Sequence, residues 1–391
     1  MRMRRFILLV LFGAPLILQG QAQADNVFKP LLTQPLNSRK VKKGLRLGLT
    51  AELNTMQPDT MQLVMDNYEK SLLAIDKGID KGKFIWSDTL SPLVERVLYK
   101  LMSRNTIRQF LPVVLIANTP EANAMCLPSG AIVVTIGLLG RISTEDQLAF
   151  VLAHELQHHH LGHVRNRTYV QKKTKSSIKL QSTVKEILKG EEPIEEIMEL
   201  KELFYESAKF SRKNELEADA GAIRLMGSLH YNPRAAIEAL DLLELGLCSD
   251  SLYSQKLFQP LNTTKFPFKN QWISRDYKSE ELFNPMSFFD KDSLKSHPET
   301  LLRKQEINRQ VMSVAAFNVS KPNHIDSITR IARFQIVKSA YDEQFLDVAL
   351  YQALSLVQAY GLNDYLIEYI GKTLLQTATL KQHPWTSTYF Y

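Results

Sequence analysis

Residues 154–158 read His-Glu-Leu-Gln-His and have the spacing of a metal-binding helix. His154 and His158 share one face of an α-helix, because a helix turns once every ~3.6 residues, so both imidazoles can bind one ion. Glu155 then lies about 100° further round the helix, beside the open coordination position. A carboxylate there can take a proton from a water molecule that zinc makes more acidic. The segment therefore predicts a hydrolytic zinc centre.

Such a centre needs a third protein ligand, and the sequence allows two sources to be tested. The metzincin pattern requires a glycine three residues and a histidine six residues after His158, where this chain has Leu161 and Val164. The other source is a later helix, in which Glu215 and Asp219 are spaced i, i+4 and can face the same partner. Glu215 can bind the metal while Asp219 accepts a hydrogen bond from the second N–H of a ligand histidine. The sequence therefore predicts a His-His-Glu site.

The chain resembles the M48 family of zinc metallopeptidases. Four segments carry the resemblance in the family's order: 123–137 (N-A-x-x-x-P-G-G-x-I-x-V-T-x-G, with Ser129 in place of the first glycine), 154–158 (H-E-x-x-H), 215–219 (E-x-x-A-D) and 297–303 (H-P-x-x-x-x-R). The resemblance implies an α+β, mainly α-helical fold, with a zincin-like (gluzincin) domain and a small β-sheet. It also implies that one Zn²⁺ per chain binds His154, His158 and Glu215, the first glutamate of its motif, rather than Glu217.

The same resemblance gives roles to two further segments. Residues 131–136 are similar to the family's edge strand beside the site, where an extended peptide substrate adds along Ala131, Ile132 and Val133. A core strand is the alternative, and both can hold because alternate residues face opposite sides of a sheet. His297 either lies in a loop without a role or approaches the centre, as a stabiliser of the tetrahedral oxyanion or as a gate on zinc.

The remaining histidines of the cluster are interpreted as bystanders. His159 and His160 flank the ligand face of the helix. His163 is nine residues after His154, which places it on the opposite side of a continuous helix. None of these three histidines is therefore predicted to contact the metal.

Apolar periodicity and cap residues predict the elements that position these side chains. Residues 25–83 are interpreted as an extended lead-in followed by one helix at 59–77. The following segments are then predicted: helix 90–102, strands 112–116 and 131–136, a helix that begins at Ser143-Thr144 and continues to about 167, a charged helix at 176–210 that covers the cleft, helix 215–229, and another helix from 232. After an irregular stretch at 248–297, helices return at 327–341, 345–360 and 363–376.

The N-terminus and these segments together define the predicted domains. Residues 1–24 combine three arginines, an apolar run and Ala22-Gln-Ala24, which is typical of a signal peptide; an uncleaved anchor is the alternative. The predicted units are a signal peptide at 1–24, an N-terminal extension at 25–85, the peptidase domain at 86–310 with an irregular insertion at 248–296, and a C-terminal helical region at 320–391 whose helix pairs are similar to TPR-like repeats.

Charge and composition limit the location and the partners. Removing the three N-terminal arginines from the 48 Lys and Arg leaves 45 basic against 41 acidic side chains, a net charge of +4. No dense basic block stands beside aromatic residues, so nucleic acid is not a predicted partner. No second apolar run reaches about 18 residues, so no transmembrane span is expected after signal removal. We predict that the protein is exported to the periplasm, and a peripheral position at the outer membrane is compatible with this location. Cys126 and Cys248 either pair there or stay buried as free thiols.

The first functional prediction is a zinc metalloendopeptidase in which Glu155 is the general base. By family resemblance alone, its substrates are misfolded or misassembled cell-envelope proteins, and its partners are factors of outer-membrane assembly. The alternative is a chaperone-like or partner-binding periplasmic factor with a latent zinc-protease site, whose C-terminal helices dock the partner. An exopeptidase would need a group that binds a terminal amine or carboxylate, and the sequence does not reveal one.

Overall fold

The computed structural model describes residues 38–103, 113–166, 212–244, 300–313 and 323–380, together with 257–258, 261–262, 264 and 267. Several predictions concern segments outside the described residues: the signal peptide at 1–24, the charged helix at 176–210, most of the insertion, Cys248 and His297. They stay predictions.

Helices form most of the described chain. In order they are α1 (Ser38–Leu53), α2 (Pro58–Asp80), α3 (Leu90–Met102), α4 (Ile136–Leu139), α5 (Glu145–His160), α6 (212–228), α7 (Ala235–Glu244), α8 (Thr300–Ser313), α9 (Asp326–Asp342), α10 (Leu346–Tyr360) and α11 (Asp364–Leu380). The helices predicted at 59–77, 90–102 and 215–229 and the three C-terminal helices are confirmed to within a few residues. A small sheet accompanies them, so the predicted α+β, mainly helical class is confirmed.

The sheet has four strands in the order β1-β2-β4-β3, formed by β1 (Phe84–Ile85), β2 (Val114–Ala117), β3 (Ala124–Cys126) and β4 (Ile132–Thr135). Strand β4 pairs parallel with β2 and antiparallel with β3, so it lies inside the sheet. The prediction that Ala131, Ile132 and Val133 belong to an edge strand is therefore wrong. Every residue of β4 is buried, which confirms the alternative of a core strand, and the two edge strands of the sheet are β1 and β3.

Helix α5 forms the centre of the main hydrophobic core. It begins at a capping box, in which the Thr144 side chain accepts a hydrogen bond from Gln147 N and the Gln147 side chain accepts one from the Thr144 backbone N–H. Buried apolar residues surround it, and α3, α7 and β3 all pack against it. Such packing on several sides fixes the position of every side chain that α5 presents.

Helix α5 is shorter than predicted. It ends at His160 rather than near 167, because Gly162 adopts a positive φ of 71° that an α-helix does not allow. A new helical segment starts at residue 163. The chain therefore changes direction between His160 and His163, and the histidines on either side of the turn do not lie on one continuous helix.

The N-terminal region is also more helical than predicted, since α1 replaces the expected extended lead-in. Leu45, Gly48 and Leu49 are buried at helical spacing, whereas most of the basic residues face solvent. Gly48 packs directly on the turn between β3 and β4, where an added Cβ would lie 2.2 Å from Ser129 O. The cluster of basic residues thus marks the solvated face of an amphipathic helix.

The C-terminal helices pack on the peptidase core. Helix α9 contacts α4, and Arg333 Nε donates a hydrogen bond to Gly140 O at 2.9 Å. Helices α9, α10 and α11 share a second apolar cluster with Leu257 and Phe258 of the predicted insertion. The TPR-like character of this region stays a prediction. Within the described residues, no helix combines the length and apolarity needed to cross a bilayer.

Candidate metal centre

Two histidines of α5 form the first half of the centre. His154 and His158 are both buried, and their Nε2 atoms lie 2.9 Å apart on the face of α5 that looks into the cleft. The i, i+4 spacing on a rigid helix explains this convergence. The two nitrogens therefore present their lone pairs to one common point.

Glu215 of α6 supplies the third group. Its side chain is only 3% exposed, and its Oε2 lies 3.3 Å from His154 Nε2 while its Oε1 lies 3.4 Å from His158 Nε2. Helix α6 reaches this close to α5 because Ala218 and Gly221 are small, and a Cβ at Gly221 would lie 2.6 Å from the Gln157 side chain. The structure therefore brings together the three residues that the sequence predicts as ligands.

The donor set suits a small divalent cation. One atom from each of His154, His158 and Glu215 lies within 4.8 Å of the other two, and all three residues are buried. A tetrahedral zinc ion with bonds of about 2.0–2.1 Å keeps its ligand atoms about 3.3–3.4 Å apart. The two histidine–glutamate distances match this value, and the two nitrogens are closer by a few tenths of an ångström. Two lone pairs and a carboxylate this close are stabilised by a cation between them.

Asp219 and Arg303 surround this donor set. Asp219 Oδ1 lies 2.9 Å from His154 Nδ1, which is a hydrogen-bonding distance although the N–H is not aligned with the oxygen. Arg303 of α8 donates two hydrogen bonds to Asp219, from Nε at 2.8 Å and from an Nη at 2.7 Å. Its other Nη lies 3.5 Å from Glu215 Oε2. One buried guanidinium thus contacts Asp219 and Glu215, the two buried acidic residues of α6.

These contacts shift the pKa values of the centre in opposite directions. Burial alone would lower the pKa of His154, but the carboxylates of Asp219 and Glu215 outweigh burial and raise that pKa to about 10. Burial would raise the pKa of Asp219, but Arg303 and then His154 lower it below its usual range. The carboxylate of Asp219 is therefore charged near neutral pH, and His154 has a high affinity for a proton or another cation.

His163 lies outside the donor set, but the turn at Gly162 places it against His158 and not on the far side of α5. After the turn at Gly162 its ring folds back on α5, is 3% exposed, and lies with Nδ1 3.0 Å from His158 Nδ1. Its Nε2 lies 3.3 Å from Oε2 of Glu217, the glutamate that competed with Glu215 as a ligand candidate. Burial, with a contribution from His158, lowers the pKa of His163. The predicted position of His163 on the far side of α5 is wrong, because that prediction continued α5 through residue 162.

The other two histidines of the cluster lie away from the donor set. His160 is exposed at the end of α5. His159 faces the back of the helix, where its Nε2 lies 4.0 Å from Glu52 of α1. Burial and the nearby Arg165 lower the pKa of His159. These positions fit the interpretation that neither residue contacts a metal.

Glu155 lies at the junction of α5 and the edge strand β3. Its Oε2 accepts a hydrogen bond of 2.9 Å from the backbone N–H of Cys126. Cys126 is a buried free thiol, as in one of the two alternatives for the cysteines, and burial followed by the charge of Glu155 raises its pKa. The hydrogen bond from the strand thus holds the carboxylate of Glu155 beside the ligands.

A cleft of about 490 Å³ lies over these groups. One wall is the edge strand β3, and the floor is formed by the two histidines, Glu155 and Glu215. The lining also includes the apolar side chains of Val151, Leu240 and Leu243, and the charged side chain of Arg303. Among the described residues, the cleft thus leaves room beside β3 for an extended molecule.

Sequence reasoning missed three contributors to this centre: Arg303, His163 and β3. The H-P-x-x-x-x-R segment contains Arg303, and a buried pair of carboxylates on α6 could have indicated the need for a cation. Gly162 was the available signal for His163, because glycine commonly ends a helix. A strand of three residues such as β3 has too little periodicity to be recognised.

Comparison with known proteins agrees with this geometry. The model of peptidase family M48 matches residues 90–311, more than half of the chain. Among curated proteins, the mitochondrial metalloendopeptidase OMA1 of Arabidopsis thaliana is 32% identical over 123 residues, which are 32% of this chain and 24% of that protein. The matched segment thus spans about a quarter of that relative. With the family's motifs converging on one buried donor set, the chain belongs to peptidase family M48.

Proposed function

We propose that the chain is a zinc metalloendopeptidase. The proposal adds two points to the metallopeptidase function of the family: the metal is zinc, and the cleaved peptide bonds are internal. The observation that carries the proposal is the convergence of His154, His158 and Glu215 beside Glu155, on the floor of a cleft walled by an edge strand. A zinc ion bound by the first three residues would acidify a water molecule and polarise the carbonyl of a peptide bond. The similarity to a protein described as a metalloendopeptidase supports the choice of reaction.

Glu155 is the general base in this proposal. Its carboxylate takes a proton from the attacking water and later passes that proton to the nitrogen of the leaving amine. The hydrogen bond from Cys126 N–H keeps one oxygen of Glu155 at the edge of β3, so the carboxylate lies between the strand and the ligands. His297, which lies outside the described residues, stays a candidate for stabilising the oxyanion or gating the centre.

The substrate would bind along β3 rather than along β4. Just beyond the two ends of β3, Leu127 N donates to Ala131 O and Thr135 N donates to Asn123 O, so Asn123, Met125 and Leu127 direct their backbone groups towards β4. The intervening Ala124 and Cys126 therefore direct their backbone groups away from β4 and towards the cleft, where the Cys126 N–H already donates to Glu155. An extended peptide can add to this edge, with its main chain held by hydrogen bonds and its side chains left to choose the sequence.

We further propose an exported enzyme of the periplasm, acting on misfolded or misassembled envelope proteins together with factors of outer-membrane assembly. The signal-peptide pattern of residues 1–24 supports export, and an edge strand that binds backbone supports unfolded substrates. Fractionation of cells that express the full chain, with immunoblotting of periplasm and membranes, tests the location. Accumulation of unprocessed chain in the cytoplasm would contradict it.

The test of the reaction is Glu155→Gln in the full chain. We expect the variant to bind metal at the wild-type ratio while casein hydrolysis falls by about 10²–10⁴-fold, because the amide cannot accept the proton. Glu69→Gln is the matched control, since this exposed carboxylate of α2 is not among the described residues that line the cleft and is expected to leave the rate unchanged. Mass spectrometry of the products should show internal cleavage.

Three outcomes would contradict these assignments. Casein cleavage by Glu155→Gln at the wild-type rate would remove Glu155 as the base. Products shortened only from one end would indicate an exopeptidase. If Glu155→Gln restored a deletion strain as well as wild type, while loss of residues 325–391 did not, the chaperone-like alternative would replace the peptidase. Reconstitution of metal-free protein with Zn²⁺, Co²⁺ or Mn²⁺ identifies the active ion.

A further inference from the structure

We propose that His163 is a positioning residue for the metal ligand His158, and that it connects this imidazole to the carboxylate of Glu217. The inference rests on the metal site of the proposed function. It concerns a chain of three side chains that starts at the ligand and ends at the protein surface. His163 is 3% exposed, whereas the side chain of Glu217 is 46% exposed.

The direction of this chain follows from which nitrogen faces the ligand position. His158 directs Nε2 to the common point with His154 and Glu215, so Nε2 must keep its lone pair for the metal. A neutral imidazole then carries its proton on Nδ1, and Nδ1 of His158 lies 3.0 Å from Nδ1 of His163. His158 therefore donates this hydrogen bond and His163 accepts it.

The same argument fixes the tautomer of His163. Because its Nδ1 accepts a hydrogen bond, the proton of a neutral His163 is on Nε2. That nitrogen lies 3.3 Å from Glu217 Oε2, which accepts the second hydrogen bond. The carboxylate of Glu217 thus orients His163, and His163 in turn orients His158. Lys213, whose Nζ lies 3.6 Å from Glu217 Oε1, contacts the outer end.

The two ligand histidines are consequently held in different ways. His154 has a carboxylate, Asp219, next to its Nδ1, which is the common arrangement for a metal-binding histidine. His158 has an imidazole in the same place, and its carboxylate is one residue further away. The turn at Gly162 is what brings this imidazole back to α5. Without an acceptor at that point, the ring of His158 could rotate or move its proton to Nε2, and either change would remove a ligand.

Metal affinity measures this role directly. Full-length protein is freed of metal, and the dissociation constant for Zn²⁺ is obtained by competition with a chromophoric chelator. We expect His163→Leu, which keeps the bulk but accepts no hydrogen bond, to weaken binding about 10–100-fold. His163→Asn should bind more tightly than His163→Leu, because its Oδ1 can occupy the place of Nδ1. Glu217→Gln should fall between His163→Leu and wild type, since an amide oxygen still accepts from Nε2.

Two controls separate positioning from general stability. His160→Leu removes the exposed histidine at the end of α5 and should leave the dissociation constant unchanged. Thermal unfolding of the metal-free variants reports any loss of folding, and the absorption spectrum of the Co²⁺ form reports the ligand geometry. We expect the visible bands of Co²⁺ to shift in His163→Leu and to return towards wild type in His163→Asn.

The outcomes distinguish this inference from the proposed function. Wild-type affinity in His163→Leu would overturn the inference alone. If the Leu and Asn variants lost Zn²⁺ affinity equally, and lost thermal stability to the same extent, His163 would be a packing residue only. That result would also overturn the inference. A wild-type chain that fails to bind one metal ion would overturn the metal site, and with it both proposals.

Discussion

Arg303 gives the most direct test of the forces at the centre. The side chain is about 10% exposed, bonds twice to Asp219, and lies 3.5 Å from Glu215. Replacing it with leucine leaves two buried carboxylates on α6 with the imidazole of His154 as their neighbouring charged group. Breaking a buried pair from one side costs about 3–5 kcal/mol, because the remaining charge loses its partner in a place that water does not solvate. With a urea dependence of about 3 kcal/mol per M, the midpoint should fall by about 1–2 M.

The measurement is urea unfolding of full-length protein in the presence of a chelator, so that bound metal cannot compensate for the lost charge. Arg309→Leu is the matched control on the same helix, because Arg309 is exposed and its ion pair within the described part of the chain is with Glu306, one turn away. We expect no measurable change in its midpoint. Arg303→Lys should fall between wild type and Arg303→Leu, since an ammonium cannot reproduce the two parallel hydrogen bonds.

Equal midpoints for the two leucine variants would refute this reasoning. Such a result would mean that water reaches Asp219 and Glu215 well enough to solvate them. The contacts of Arg303 would then resemble a surface ion pair, which contributes little to stability.

Three further predictions concern the pH, the packing of α1 and the start of α5. Because the pKa of His154 is raised to about 10, a metal ion must displace its proton, so Zn²⁺ affinity should fall about tenfold per pH unit from pH 9 to 7. Competition with a chelator measures the affinity, and an affinity that stays constant above pH 7.5 would contradict this prediction. Gly48→Ala should lower the free energy of unfolding by about 1–3 kcal/mol, because the added Cβ clashes with Ser129 O. A Cβ at Gly371 meets no atom within 4 Å, so Gly371→Ala should raise the free energy of unfolding by up to about 1 kcal/mol in the same denaturation assay. Thr144→Ala removes the cap of α5 and should cost about 0.5–2 kcal/mol; unchanged thermal unfolding would show that the cap is not needed.

Local periodicity explains what the sequence could predict about the centre. Two histidines and a glutamate within five residues of one helix have only one geometry if the helix forms. The pairing of Glu215 with Asp219 follows the same rule, and the structure places both of them against the histidines. The prediction needed no knowledge of how α5 and α6 pack, because a buried metal site leaves few alternatives for their orientation.

Features that depend on a single backbone angle or on tertiary pairing could not be predicted in this way. On a continuous helix His163 would lie on the far side of α5. The positive φ at Gly162 turns the chain, and His163 contacts His158 instead. The order of the strands, which places β4 inside the sheet, is decided by a parallel pairing with β2 that leaves no local pattern. Helix α1 was missed because its basic residues conceal a narrow apolar stripe around Leu45 and Leu49.

The formal charges of the centre explain why its distant motifs belong together. Among the described residues around the ligands, Glu155, Glu215 and Asp219 carry three negative charges and Arg303 carries one positive charge. With neutral imidazoles the sum is −2, which one divalent cation balances. A buried excess of this size is unfavourable without a cation or bound protons, and the raised pKa of His154 expresses the same demand. Asp219 and Arg303, 84 residues apart, therefore act as one unit. Without the arginine the sum would be −3, a charge that a divalent ion cannot balance.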